Sequence, residues 1–135
     1  MLNTTVGGSQ TSPELQFYPD GTWVAGFVDG SQSVLQRFDT DDRTIGQETR
    51  ISSGTGNVVL DGLCVRPDNS VLLTWTSGGD VYGQFFDANL QPISAQILMN
   101  TYLTGTQQYS IPRVYGDGGF VVVWESNGQI GRAHV

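Results

Sequence analysis

A turn followed by a run of apolar residues punctuates this chain at nearly regular intervals. Asp117-Gly118-Gly119-Phe120-Val121-Val122-Val123-Trp124 is its clearest form, and Asp20-Gly21-Thr22-Trp23-Val24-Ala25-Gly26-Phe27 and Asp68-Asn69-Ser70-Val71-Leu72-Leu73-Thr74-Trp75 keep the order of turn, apolar run and closing aromatic. Asp20, Asp68 and Asp117 stand 48 and then 49 residues apart, a spacing that repeat architectures use. A second echo lies between them. Leu2-Asn3-Thr4 and Gly8-Ser9-Gln10 return 97 residues later as Met99-Asn100-Thr101 and Gly105-Thr106-Gln107, with Pro13 answered by Pro112 at a distance of 99. Residues 1–14 therefore read as the end of a preceding repeat, 15–58 as one unit, 59–107 as a second and 108–129 as a partial third.

Within the units, short apolar runs closed by Gly, Asp, Asn or Ser predict β-strands. The first unit is expected to hold strands at 15–17, 22–27, 34–38 and 49–51, the second at 63–66, 71–75, 81–86 and 95–98, and the third to stop after its second strand. Side chains on a strand alternate between faces. Phe120, Val122 and Trp124 share one face and Val121 and Val123 the other, so this strand is apolar on both sides and predicts burial between two layers. The third strands match in part: Gln36, Phe38 and Asp39 recur as Gln84, Phe86 and Asp87. Each glutamine shares a face with an aromatic and is expected to satisfy loop backbone, because an unpaired buried amide costs about 1–3 kcal/mol.

Four short antiparallel strands per ~48 residues fit the blade of a β-propeller. The expectation is thus an all-β fold, a fragment of a β-propeller-like repeat array, with a linear stack of β-sandwich modules as the alternative. One such sheet cannot hide both its faces, so neighbouring sheets would have to cover them.

Composition changes this picture little. Glycine supplies 18 of 135 residues, about twice the usual ~7%, which suits many turns. All six basic residues are arginines, and the net charge of −7 argues against nucleic acid or an anionic membrane as partner. No apolar run approaches the ~18 residues that span a bilayer, and the residues after Met1 do not resemble a signal peptide. Cys64 is the single cysteine, so no disulfide forms within the chain.

The stretch 117–129, the linker from Asn100-Thr101 to Gln107 and the Gln84-x-Phe86-Asp87 strand resemble the tandem repeats of very large bacterial secreted and surface proteins, propeller-like or adhesin-like, that accompany repeats-in-toxin or cadherin-like calcium modules. The first unit departs from that pattern, with Phe27 in place of the terminal tryptophan and Thr22-Trp23 in place of glycine and phenylalanine. The resemblance implies an extracellular or cell-surface, non-catalytic role and supplies no catalytic residues. Ile130-Gly131-Arg132-Ala133-His134-Val135 breaks the repeat and resembles translated sequencing adapter, so residues 130–135 are read as a non-native tail of a metagenomic read. The only histidine, His134, falls within it.

Candidate chemistry is sparse. Asp20-Gly21-Thr22-Trp23 is reminiscent of the aspartate box of sialidase propellers but lacks its spacing residues, and glycoside hydrolysis needs two carboxyl groups held about 5–9.5 Å apart. Arg37, Arg50, Arg66 and Arg113 would suit an acidic ligand if they converged; solvated strand ends are the simpler reading. Cys64, between Leu63 and Val65, reads as a buried inert thiol. Asp39-Thr40-Asp41-Asp42 offers oxygen ligands of the kind calcium takes, yet its counterpart Asp87-Ala88-Asn89-Leu90 keeps one carboxylate, so Asp39 and Asp87 are expected to form turns. The sequence thus assigns no catalytic residue, no metal site and no cofactor, and leaves the ligand-binding residues unknown. Its expected partners are neighbouring repeats, with glycan or a cell-surface protein as a further class, and the competing function is a glycan-binding or glycan-active propeller.

Overall fold

A computed structural model describes residues 10–30, 32–52, 58–127 and 129–134. Among these there is no helix, and eleven strands build three antiparallel sheets. The first sheet orders β1 (Gln10–Phe17), β2 (Trp23–Asp29), β3 (Gln32–Phe38) and β4 (Thr44–Ser52) as a simple meander. The second repeats that order with β5 (Val58–Val65), β6 (Val71–Ser77), β7 (Asp80–Phe86) and β8 (Ile97–Leu98). The third holds β9 (Gln107–Tyr115), β10 (Gly119–Ser126) and β11 (Gln129–His134).

The turns explain the spacing seen in the sequence. Gly21, Asn69 and Gly118, one in each unit, have φ of 85°, 67° and 97°, and each donates its N–H back across a turn, to Tyr18, Arg66 and Tyr115 respectively. Glycine and asparagine tolerate this left-handed backbone, which bulkier residues avoid. Asp20 and Asp68 fix the first two turns from the side, each taking the N–H and the hydroxyl of the residue two positions on, Thr22 and Ser70.

The sheets lie face to face in chain order. Between the first and second, Val24, Val28 and Leu35 meet Leu60, Leu63, Val71, Leu73, Trp75 and Phe86. Between the second and third, Cys64, Leu72, Val81 and Met99 meet Phe120, Val122 and Trp124. Alternation on β6 thus sends Val71, Leu73 and Trp75 to one neighbour and Leu72 to the other, and the middle sheet is covered on both sides as its doubly apolar strand requires.

The structure corrects several expectations of detail. Strand β1 starts at Gln10, inside the stretch read as linker, and β4 runs nine residues from Thr44 where three were expected. The third unit does not stop after its second strand: residues 129–134 pair along β10, Val121 with His134 through Ser126 with Gln129. Backbone pairing asks only for extended chain within reach, so a stretch with no counterpart in the repeat can still complete the sheet. Val121 and Val123 are half-buried, because no layer among the described residues covers that side of β10.

Candidate functional site

Strands β1, β5 and β9 are where adjacent sheets approach, with β5 packed against both of the others. Each bulges at the same level: between Thr11 and Glu14, between Leu60 and Gly62, and in β9 opposite the step from Val123 to Glu125. Ser12 and Tyr109, in the outer two bulges, take left-handed φ of 53° and 56°. A bulge re-aims a side chain. In β5 the extra residue is Asp61, and its Oδ2 accepts hydrogen bonds from Thr76 Oγ1 at 2.6 Å and, across the sheet boundary, from Ser110 Oγ at 2.8 Å. Gly62 follows directly, and a Cβ there would run into the Pro112 ring on β9.

Burial raises the Asp61 carboxyl above the ordinary aspartate range, while the two hydroxyls pull it partly back. Glu14 on β1 is raised as well, first by burial; Arg113 on β9 opposes that shift and Asp61 adds to it. One residue from the first strand of each sheet therefore shares a single electrostatic neighbourhood, with two carboxyl groups and one guanidinium.

At the far end of the strands two arginines bridge the same boundaries. Arg37 Nη1 donates to Ala88 O at 2.9 Å and its guanidinium lies 4.1 Å over the Tyr18 ring. Arg66 Nη1 donates to Gly118 O at 3.4 Å, with the guanidinium 5.0 Å from the Phe120 ring. Burial pushes the Tyr18 phenol up to about 12. Beside Arg37, residues 45–49 and 88–91 line a cleft of about 280 Å3 between the outer parts of the first two sheets.

The residues singled out in the sequence do not assemble into a site. Arg37 and Arg66 serve successive boundaries, Arg50 pairs with Asp29 and Glu48 at 3.0 Å each, and Arg113 donates to Pro112 O at 2.7 Å, so the four do not converge. Asp39 Oδ1 accepts the N–H groups of Asp41 and Arg43, and Asp87 Oδ1 those of Asn89 and Gln91, all at 2.9 Å. These carboxylates form turns. Asp42 Oδ1 accepts from Trp23 Nε1 at 3.2 Å. Gln84 donates to the loop carbonyl of Ser94 as expected, although its Oε1 is buried with no hydrogen-bond partner among the described residues, whereas Gln36 donates to the carbonyls of Ile45 and Gly46 within β4 and not to a loop. Cys64 is buried, and burial raises its thiol to about 12, which leaves it inert. The His134 backbone pairs in β11, and its side chain lies outside the described residues.

Sequence reasoning missed Glu14, Asp61, Thr76 and Ser110. One signal was available: Asp61-Gly62 interrupts the apolar run from Val58 to Val65, and a glycine inside a strand pattern marks a bulge or a close approach. Compared with known proteins, the chain matches no family model and no curated protein.

Proposed function

We propose that this chain is a non-catalytic structural, adhesive module of a large extracellular or cell-surface repeat protein, built as propeller-like sheets around a line of bulged first strands. The observation behind this reading is the repetition of one interface. The boundary that joins the first sheet to the second, with its bulge and its bridging arginine, recurs between the second and the third. The sheets also approach unevenly. Backbone approach between the sheets centres on β1, β5 and β9, while farther out β4 and residues 88–91 line a cleft and touch through the Thr49 hydroxyl, which donates to Leu90 O at 2.9 Å; an approach closest at one edge favours a wedge over a flat stack.

Repeating interfaces supply stability unit by unit. Their partners are therefore neighbouring repeats of the same kind, with glycan or protein held weakly by the loops. A strongly acidic chain without lysine gives no footing to nucleic acid or an anionic membrane. The test is to insert a second copy of residues 59–107 after the first. In a repeat module the longer chain folds in one transition and gains stability; loss of folding on insertion would refute the reading.

A second reading, a glycan-binding or glycan-active surface, draws on Glu14 and Asp61, two carboxyl groups of raised affinity for protons on adjacent sheets. Screening immobilised glycans against the chain and its Asp61→Asn variant separates the two. Binding lost on substitution supports the second reading.

A further inference from the structure

We propose that the cleft between the first two sheets binds one ring of a neutral sugar through the side-chain amides of Gln47, Asn89 and Gln91, which rests on the adhesive reading above and gives its glycan a place. Gln47 stands on β4, and Asn89 and Gln91 stand on the turn after β7, so two sheets supply the walls of a cleft of about 280 Å3. All three side chains are exposed, and none bonds to another described residue.

The walls are pinned to each other. Arg37 Nη1 donates to Ala88 O and Thr49 Oγ1 to Leu90 O, each at 2.9 Å, so the turn is tied to both β3 and β4. A site fixed in advance loses less of its binding energy to ordering. On β4 the register sets Gly46, Gln47 and Glu48 opposite Gln36 alone, since Leu35 pairs with Thr49 and Arg37 with Ile45. Such a bulge takes Gln47 out of the ladder and re-aims it. On the other wall the turn has no need of its amides. In the first sheet the equivalent turn, from Asp39 to Arg43, makes the same two Oδ1 bonds with Asp41 and Arg43 where the second has Asn89 and Gln91.

The lining chooses the ligand. A carboxamide offers two donors and an acceptor oxygen, which matches hydroxyl groups that both donate and accept. The charges in the lining are already engaged, Arg37 with Ala88 O, Thr22 Oγ1 and the Tyr18 ring, and Glu48 with Arg50 at 3.0 Å. A carboxylate or phosphate therefore meets no unengaged cation there, and an uncharged sugar fits better. An extended peptide is also neutral, but strand addition uses a continuous edge, and the bulge at residues 46–48 interrupts β4. The volume lies just below the ~300–1,000 Å3 of small-molecule pockets, which leaves room for one ring and an affinity on the order of millimolar.

Saturation-transfer NMR on the whole chain tests the proposal with the methyl glycosides of glucose, galactose, mannose and N-acetylglucosamine, against glucuronate and triglycine. At least one neutral glycoside is expected to bind and to move the backbone amide signals of residues 45–49 and 88–91, while glucuronate and triglycine do not. Asn89→Ala and Gln91→Ala should each weaken binding about threefold, and Gln47→Ala combined with Asn89→Ala about tenfold, at unchanged thermal midpoints because these side chains bond nothing in the fold. Asp61→Asn should bind like the parent chain. The proposal is overturned if no neutral glycoside moves those amides, if glucuronate or triglycine binds in preference, if the amide substitutions leave binding intact, or if Asp61→Asn abolishes it. The adhesive reading fails separately, on the insertion of residues 59–107, which reads folding and not sugar.

Discussion

The Asp61 carboxylate on β5 accepts a 2.8 Å hydrogen bond from the Ser110 hydroxyl on β9, so a side-chain tie crosses a boundary built mainly on apolar packing, alongside the Arg66 bridge to Gly118 and the bond from Gln107 N–H to Gly79 O. Thr76 Oγ1 occupies the same oxygen at 2.6 Å and keeps the carboxylate turned towards the boundary. Ser110→Ala removes the cross-sheet donor but leaves Thr76 in place. The expected loss is about 1.5–3 kcal/mol, the range for a hydrogen bond to a charged group. Urea unfolding reads it as a lower midpoint at unchanged slope; no shift in midpoint would show that the tie contributes nothing.

The same carboxylate makes stability depend on pH. Its folded value lies above the ordinary 3.8, so the folded chain holds this proton more tightly than the unfolded chain. The contribution is fully present below 3.8 and is lost as pH rises through the raised folded value. Asp20 and Asp68 act oppositely, since hydrogen bonds from Thr22 and Ser70 lower them and their contribution fades as pH falls. Asp61→Asn should therefore gain on the parent chain as pH is raised from about 4 towards neutral. Parallel melts across that range check the sign, and a difference constant with pH would contradict it.

Gly62 sits beneath the Pro112 ring, and any side chain there must push β5 and β9 apart. Gly62→Val should cost about 1–3 kcal/mol by overpacking. Pro112→Ala removes the ring atoms in the way, so Gly62→Ala should cost less in that background. A double-mutant cycle on unfolding free energies measures the coupling, and strict additivity would place the strain elsewhere.

Trp75 is fully buried between the first two sheets, whereas Val123 is half-buried on the open face. Trp75→Ala is expected to cost about 3–5 kcal/mol and Val123→Ala less than about 1 kcal/mol. Comparable losses at the two positions would mean that the open face is covered.

Arg37 and Arg66 bridge their boundaries through a carbonyl and an aromatic ring at once. Lysine can keep the charge but not the planar fork that serves both. Arg37→Lys is expected to lower stability by about 1 kcal/mol, with a smaller effect for Arg66→Lys, whose carbonyl contact is longer. Thermal unfolding of both variants compares the two boundaries directly.

Much of this architecture was legible in the residues because its causes are local. Alternation along a strand, a glycine or asparagine at Gly21, Asn69 and Gly118, and aspartates that bind their own turns all act within a few positions, so strand order and the all-β class follow from the chain. The doubly apolar run of Val71 to Trp75 likewise called for cover on both faces, and the middle sheet has it. Whether a given apolar face is covered is a different matter, because it depends on a layer contributed from elsewhere. Val121 and Val123 read like Leu72 in the sequence, yet among the described residues no layer packs over them. Glu14, Asp61, Ser110 and Arg113 carry no shared motif; they come together because three bulged first strands lie side by side. Only the tertiary structure decides such contacts, since the burial that ties Asp61 to Ser110 and raises its carboxyl exists only once β5 and β9 have packed.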